Sequence, residues 1–242
     1  MDWDRWRRVC ARTDSMVPLR VEITLRAPLA STDPWVNLDA LLAHRAISFG
    51  RHPSSRHHPT YPHRPDEIEL IPIPVKWDRQ LRVWRCSALH PTQPVGPGVT
   101  HWTMRPTVEH AYLVRDKLLR TSHGQTRMRR EQLTLWPCLT WEAELEGCPR
   151  YVPRLLERVH GIGKKTAQGW GAVHTIRVTT LDRPARWLDW DGTLARPVPH
   201  PDGQLAGVRP PYWHTPWWEP ALMPGDPTPG ELAKHAATTA AA

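Results

Sequence analysis

Four glycines and two lysines crowd one short stretch, His160–Gly171, HGIGKKTAQGWG. Gly161, Gly163, Gly169 and Gly171 let a backbone turn sharply and meet another chain at close range. Successive N–H groups in such a loop form a nest for an anion. Lys164 and Lys165 add charge, Gln168 adds a polar group, and Trp170 either stacks on a base or covers the core. The chemistry implied is phosphate binding. The alternative is a plain turn from helix to strand.

Two further segments concentrate cations. Arg120, His123, Arg127, Arg129 and Arg130 fall within a stretch that holds no acid, as an arm following RNA phosphates would. A solvated hairpin end has the same composition. Arg51, Arg56, His57 and His58 belong to the proline-punctuated loop GRHPSSRHHPTYPHRPD, residues 50–66. Its histidines lack carboxylate or cysteine partners, so contact with phosphate or a protein partner is expected there rather than a metal. Disorder is the alternative. Cys10, Cys86, Cys138 and Cys148 form no CxxC pair, so no zinc site, redox motif or cofactor is expected.

Composition agrees with a polyanionic partner. The chain has 242 residues, 32 Lys and Arg against 24 Asp and Glu, and a formal charge of +8. Only five of the 32 cations are Lys; the planar arginine fork grips phosphates bidentately and stacks on bases. No apolar run reaches the ~20 residues of a membrane span, and the N-terminus lacks a signal peptide's apolar core. A cytoplasmic protein with no membrane partner is expected.

Elements must hold these clusters in place. PLRVEITLR (18–26) alternates Leu19, Val21, Ile23 and Leu25 with polar residues, the pattern of a half-buried strand. NLDALLAHRAI (37–47) reads as a helix that Asn37 caps, with Leu38, Leu41, Leu42 and Ala46 near one face. Residues 67–78 and 80–89 read as two strands joined by a tight turn, with Pro72 and Pro74 pushing the first to an edge or bulge. Residues 91–107 read as loop, and 110–145 as two extended arms around the basic tip. CPRYVPRLLERV (148–159) reads as a helix with Val152, Leu155, Leu156 and Val159 on one stripe. AVHTIRVTTLD (172–182) reads as a strand. No internal repeat is present.

The glycine-rich stretch thus lies between a helix and a strand. A helix-hairpin-helix DNA-binding turn would need a second helix directly after Gly163. Gly169 and Gly171 would each cost that helix ~1 kcal/mol relative to Ala, and the strand-like run leaves it no room. The chain instead collapses to βαββαβ, an α+β ferredoxin-like, RRM-like unit with a basic insertion.

In this setting the sequence resembles the RAMP superfamily of CRISPR effector subunits, in particular the 5′-handle-binding subunits of type IV complexes that cap a Cascade-like filament. The resemblance rests on GIGKKTAQGWG before a strand, on PLRVEITLRAPL followed by NLDALLAHRAI, and on GVRPPYW near residue 210. It covers residues 18–213. It implies a non-catalytic protein that holds the 5′ handle of crRNA. It also implies contacts with the repeated backbone subunit and the large subunit, and a position near target DNA. The related Cas6-type endoribonucleases often use a His near the first helix, which makes His44 the catalytic candidate of an alternative reading. Such cleavage also needs a partner for the base and a stabiliser for the phosphorane, and spacing supplies neither.

The expected organisation is an N-terminal extension (1–16), a ferredoxin-like RAMP domain (17–182) with a basic arm at about 110–135, a Pro/Trp-rich segment wrapping the domain (183–230), and a disordered tail (231–242).

Overall fold

The computed structural model describes residues 2–12, 15–49, 70–104, 129–212 and 214–240. Arg51, Arg56, His57, His58, Arg120, His123 and Arg127 lie outside them, as does the side chain of Arg129. Among the described residues no helix is long and apolar enough to cross a membrane.

The chain opens with α1 (Trp3–Cys10), capped by the Asp2 carboxylate, which accepts the Arg5 backbone N–H at 2.8 Å. The cap sets the helix so that Trp6 is fully buried, its Nε1 donating to the Pro72 carbonyl at 2.9 Å. The N-terminal extension is therefore docked on the core. Strand β1 (Val17–Leu25) follows the predicted alternation, burying Leu19, Val21, Ile23 and Leu25. The short β2 (Leu29–Ala30) and β3 (Val36–Asn37) lead into α2 (Leu38–Phe49), which buries Leu38, Leu42, Ala43, Ala46 and Ile47.

Next come β4 (Trp77–Asp78), β5 (Val83–Trp84), β6 (Ala88–Pro91), β7 (Gly98–Met104), β8 (Arg129–Trp136), β9 (Thr140–Gly147), α3 (Tyr151–Leu156) and β10 (Val173–Thr180). The main sheet has the order β10-β1-β9-β6-β3, with neighbours antiparallel. α2 connects β1 to the β6 side, and α3 connects β9 to β10. Both pack with α1 on the face carrying Val21, Ile23 and Ala143, in one apolar core. The molecule is a mixed α+β protein with antiparallel sheets.

Two local expectations change. Residues 67–69 lie outside the described residues, and 70–89 give only short strands, because Pro72 and Pro74 remove ladder donors; Val75 and Cys86 still bridge to Gly147 and Leu145. The stretch expected as loop contains β7, which pairs with β8 from Gly98↔Leu135 to Met104↔Arg129. Its threonines, valine and tryptophan favour a strand, and the prolines just before it hid that run. The expected basic arm falls largely on residues 105–128, which lie outside the described residues, between the paired β7 and β8. The strand expected over 172–182 forms as β10 at the edge of the main sheet, with Val173, Ile176 and Val178 packed against the core.

Beyond Asp182 the chain forms β11 (Asp189–Trp190), β12 (Thr193–Leu194), β13 (Val198–Ala206), β14 (Glu219–Leu222) and α4 (Gly230–Ala240). Trp187, Leu188, Leu194, Val198, Val208 and Ala221 form a second apolar cluster with Leu81 and Val83 of the β4–β5 hairpin. The tail expected to be disordered is helical from Gly230 to Ala240. Alanine favours helix strongly, and Leu232, His235 and Ala236 share one face. Leu232 is buried, Ala236 packs on the second cluster, and His235 bonds Asp78 at 3.0 Å.

The face of the main sheet opposite α2 and α3 carries acids. Glu142, Glu144 and Glu146 alternate along β9 and so point the same way. Each meets cations from elsewhere: Arg20 on Glu142, Arg183 and Arg186 on Glu144, Lys76 and Arg85 on Glu146. His90 lies beside Glu142 in register, its ring edge-on to Trp190. This face is neutralised and partly covered by the C-terminal segment, unlike a sheet that stacks bases on exposed aromatics.

Glu144 reports on this covering. Burial raises its pKa, but hydrogen bonds from the Arg183 side chain and from the backbone and side chain of Arg186 outweigh it and bring the value from 4.5 to about 2. A carboxylate depressed by folding stabilises the protein above its unfolded pKa, and that stability is lost as pH falls through the folded value. Unfolding in urea should therefore show about 2 kcal/mol disappearing between pH 4.5 and 2. Glu144→Gln should flatten that dependence; an unchanged acid profile would show that the Arg183–Arg186 clamp does not set it.

Candidate nucleic-acid interface

The glycine-rich stretch leaves α3 and enters β10 through a single 3-10 turn, Thr166–Gln168. No second helix follows, so the helix-hairpin-helix alternative fails on local structure. Gly161 bridges Ala172, and Ile162 N–H donates to Gly171 O at 3.0 Å, drawing the two ends of the loop together.

Several of the loop's N–H groups are satisfied inside the protein. Lys164 N–H donates to Ala30 O at 2.7 Å and Gly171 N–H to Pro28 O at 2.9 Å. Gln168, Gly169, Ala172 and Val173 donate to Lys165, Thr166, Gly169 and His160. The Lys164 and Gly171 N–H groups are thus spent on holding the loop to residues 28–30 instead of being offered to phosphate. The close approach at Gly163 (φ 83°) is internal too: a Cβ there would come within 2.5 Å of the Ala30 carbonyl oxygen. Gly169 differs. It adopts φ 92° at the tip, and a Cβ there would meet nothing within 4 Å.

The two lysines also part. Lys165, itself at a left-handed φ of 56°, turns inward. Its ammonium lies 2.8 Å from the Glu131 carboxylate and 3.6 Å from the Trp102 ring centroid. Trp102 and Glu131 are cross-strand partners in the β7–β8 hairpin, two pairs before its ladder ends at Met104↔Arg129. Lys165 therefore clamps the glycine-rich loop to the root of the basic arm, and its charge is engaged there rather than offered to phosphate. Lys164 is exposed, as are Gln168, Gly169, Arg130, Arg26, His101 and His174, while Trp170 is half-buried.

Two of the cationic features marked in the sequence are thus brought together. The exposed part consists of Lys164, Gln168 and Gly169 at the loop tip and Arg130 near the end of the hairpin. Trp102, Glu131 and Ala30 join the two features, and sequence reading passed over all three. The signal for Trp102 was the alternation in GVTHWTM. Nothing in the sequence pointed to Ala30.

His44 occupies the exposed side of α2. Partial burial of its ring, and then Arg45, hold its pKa below the usual imidazole value. That favours a neutral ring near pH 7.

No family model matches the chain, and no curated protein does. Among solved structures it is similar to a chain of the type III-B Cmr-beta complex bound to cognate target RNA, determined by cryo-EM, at a TM-score of 0.37 and 14% identity. The match covers 73% of this chain, which spans 65% of the length of that one.

Proposed function

We propose that this protein is a non-catalytic crRNA-binding subunit of a type IV CRISPR ribonucleoprotein. In this reading residues 17–182 are a ferredoxin-like RAMP domain, and it holds the 5′ handle at one end of the backbone filament. The β10-β1-β9-β6 order, with a helix after the first and third of these strands in sequence, supports a ferredoxin-like unit. The glycine-rich loop occupies the crossing from the second helix to the last strand, the place the resemblance assigns it. The observation that carries the reading is the Lys165 clamp, which fixes an exposed loop tip beside the origin of a segment whose residues 120–130 carry cations and no acid. Phosphates would lie along Lys164 and Arg130, continuing onto the arm. The backbone subunit, the large subunit and target DNA are the partners this reading implies.

Electrophoretic shifts with repeat-derived RNA across a salt series test it. Log affinity should fall linearly with log salt, and Lys164→Ala with Arg130→Ala should lower that slope by up to about two units without changing the melting temperature. A flat salt profile, or a preference for duplex DNA, would overturn the reading. His44→Ala should leave processing of repeat RNA unchanged. Loss of site-specific, metal-free cleavage in that variant, with its fold intact, would establish an endoribonuclease instead.

A further inference from the structure

The Pro/Trp-rich segment has a feature that crRNA handle binding does not use. Between the second apolar cluster and Leu70 lies an open cleft of about 460 Å³, lined by Leu70, Arg82, Arg209, Trp217, Trp218 and Glu219. That volume is in the range that holds a nucleotide-sized ligand.

Its walls are fixed from behind. Trp218 Nε1 donates to the Tyr212 carbonyl at 2.8 Å, yet the side chain remains 37% exposed. Tyr212 is itself anchored, its hydroxyl donating to the buried Asp39 carboxylate at 2.9 Å. Trp217 packs edge-on against His214, with ring centroids 5.3 Å apart. Arg209 bonds Glu219 at 2.6 Å and lies over the Trp217 ring at 5.9 Å. Two indoles are thus held in place at an open surface instead of being folded into the core.

Arg82 completes the rim. It is exposed and has a φ of 54°, a left-handed conformation unusual for a residue with a side chain. The turn that carries it is tied down by Asp78, which accepts from the N–H groups of Gln80 and Leu81 at 3.1 and 3.0 Å. With the Glu219 charge already matched by Arg209, Arg82 leaves the cleft with a surplus cation.

We infer that this cleft binds one nucleotide of a single-stranded nucleic acid, its base stacked on Trp217 and Trp218 and its phosphate held by Arg82. Aromatic faces accept any base, and a nearby arginine supplies the phosphate contact. Aromatic grooves also take proline-rich peptides. The surplus cation, and a carboxylate already engaged by Arg209, favour the polyanion. The assignment stands apart from the handle reading, since it uses neither the glycine-rich loop nor the arm.

The test uses the full chain with labelled hexamers, U6 RNA and dU6 DNA, and a labelled proline-rich peptide, in fluorescence anisotropy. Oligomers carrying 5-iodouridine report the contact by photo-crosslinking. Trp218→Leu should weaken hexamer binding about tenfold and abolish crosslinks to residues 217–218, while Trp218→Phe should stay close to wild type. Arg82→Gln, on the exposed rim, should lower the salt slope by about one and remains informative if Trp218→Leu fails to fold. RNA bound better than DNA would place a 2′-hydroxyl contact in the cleft, and equal binding would restrict it to base and phosphate.

The inference is overturned if Trp218→Leu and Arg82→Gln bind hexamers as wild type does, if crosslinks map elsewhere, or if the peptide occupies the cleft in preference. The Lys164→Ala, Arg130→Ala double variant separates this result from the handle reading. It should lose repeat-RNA affinity yet keep the crosslink at residues 217–218.

Discussion

Arg196→Met should destabilise the protein by about 3–5 kcal/mol in urea unfolding near neutral pH, the cost of breaking one side of a buried ion pair. Arg196 is 1% exposed in the C-terminal segment, and its guanidinium is fully used. It donates to the carbonyls of Trp84 and Cys86, to Pro197 O at 3.1 Å, to Val208 O at 2.7 Å and to the Asp39 carboxylate at 3.3 Å. Asp39, at the start of α2, is 2% exposed and also accepts the Tyr212 hydroxyl. Removing Arg196 leaves a carboxylate and several carbonyls buried without their donor. Burial already raises the Asp39 pKa, against the pull of Arg196. Without Arg196 it must rise further, so the deficit should shrink as pH falls, because a protonated Asp39 needs no counter-charge. Asp39→Asn in the Arg196→Met background should recover part of the loss for the same reason. A deficit below about 1 kcal/mol would mean that the C-terminal segment docks through its apolar cluster alone.

The contrast between Asp39 and the strands shows what the sequence could reveal. The alternation of β1 and the apolar stripe of α3 are local patterns: β1 appears where periodicity put it, while α3 is shorter than the expected 148–159, holding Val152, Leu155 and Leu156 and ending before the buried Val159. Asp39 stands where a first-turn acid suits a helix, and its burial is not legible locally because its partners lie 157 and 173 residues away, at Arg196 and Tyr212. The same applies to EAELEG. Its alternation suits the extended arm expected there, but does not reveal a covered face, since Arg183 and Arg186 lie beyond Asp182. The C-terminal helix was misjudged for a different reason. Low complexity described its composition, whereas Leu232 and His235 decide its structure through contacts with the β4–β5 hairpin. In the glycine-rich loop, residue types correctly implied tight turns and close approach. They could not say that the chain being approached is the protein's own.

That last distinction carries the second large effect. Gly163→Val should cost about 3 kcal/mol and lower the melting temperature before any RNA is added. A β-branched residue at a φ of 83° loses about 1–2 kcal/mol to backbone strain, and forcing its Cβ against a backbone carbonyl adds about 1–3 kcal/mol. The carbonyl is that of Ala30, which also accepts the Lys164 N–H. It cannot retreat without pulling β2 away from β8, to which Leu29 and Ala30 are paired. The loop would then lift from the β1–β2 connection, and Lys165 would leave Glu131 and Trp102. Gly169→Ala offers the comparison within the same loop. Its φ of 92° imposes a strain of about 1 kcal/mol, but its Cβ would enter open space. The two variants should therefore separate on thermal melting alone, Gly163→Val falling well below Gly169→Ala. In repeat-RNA binding Gly169→Ala should matter only where RNA passes close to the loop tip. Equal melting temperatures for the two would mean that Gly163 is not wedged against Ala30, and that the loop is positioned by Lys165 alone.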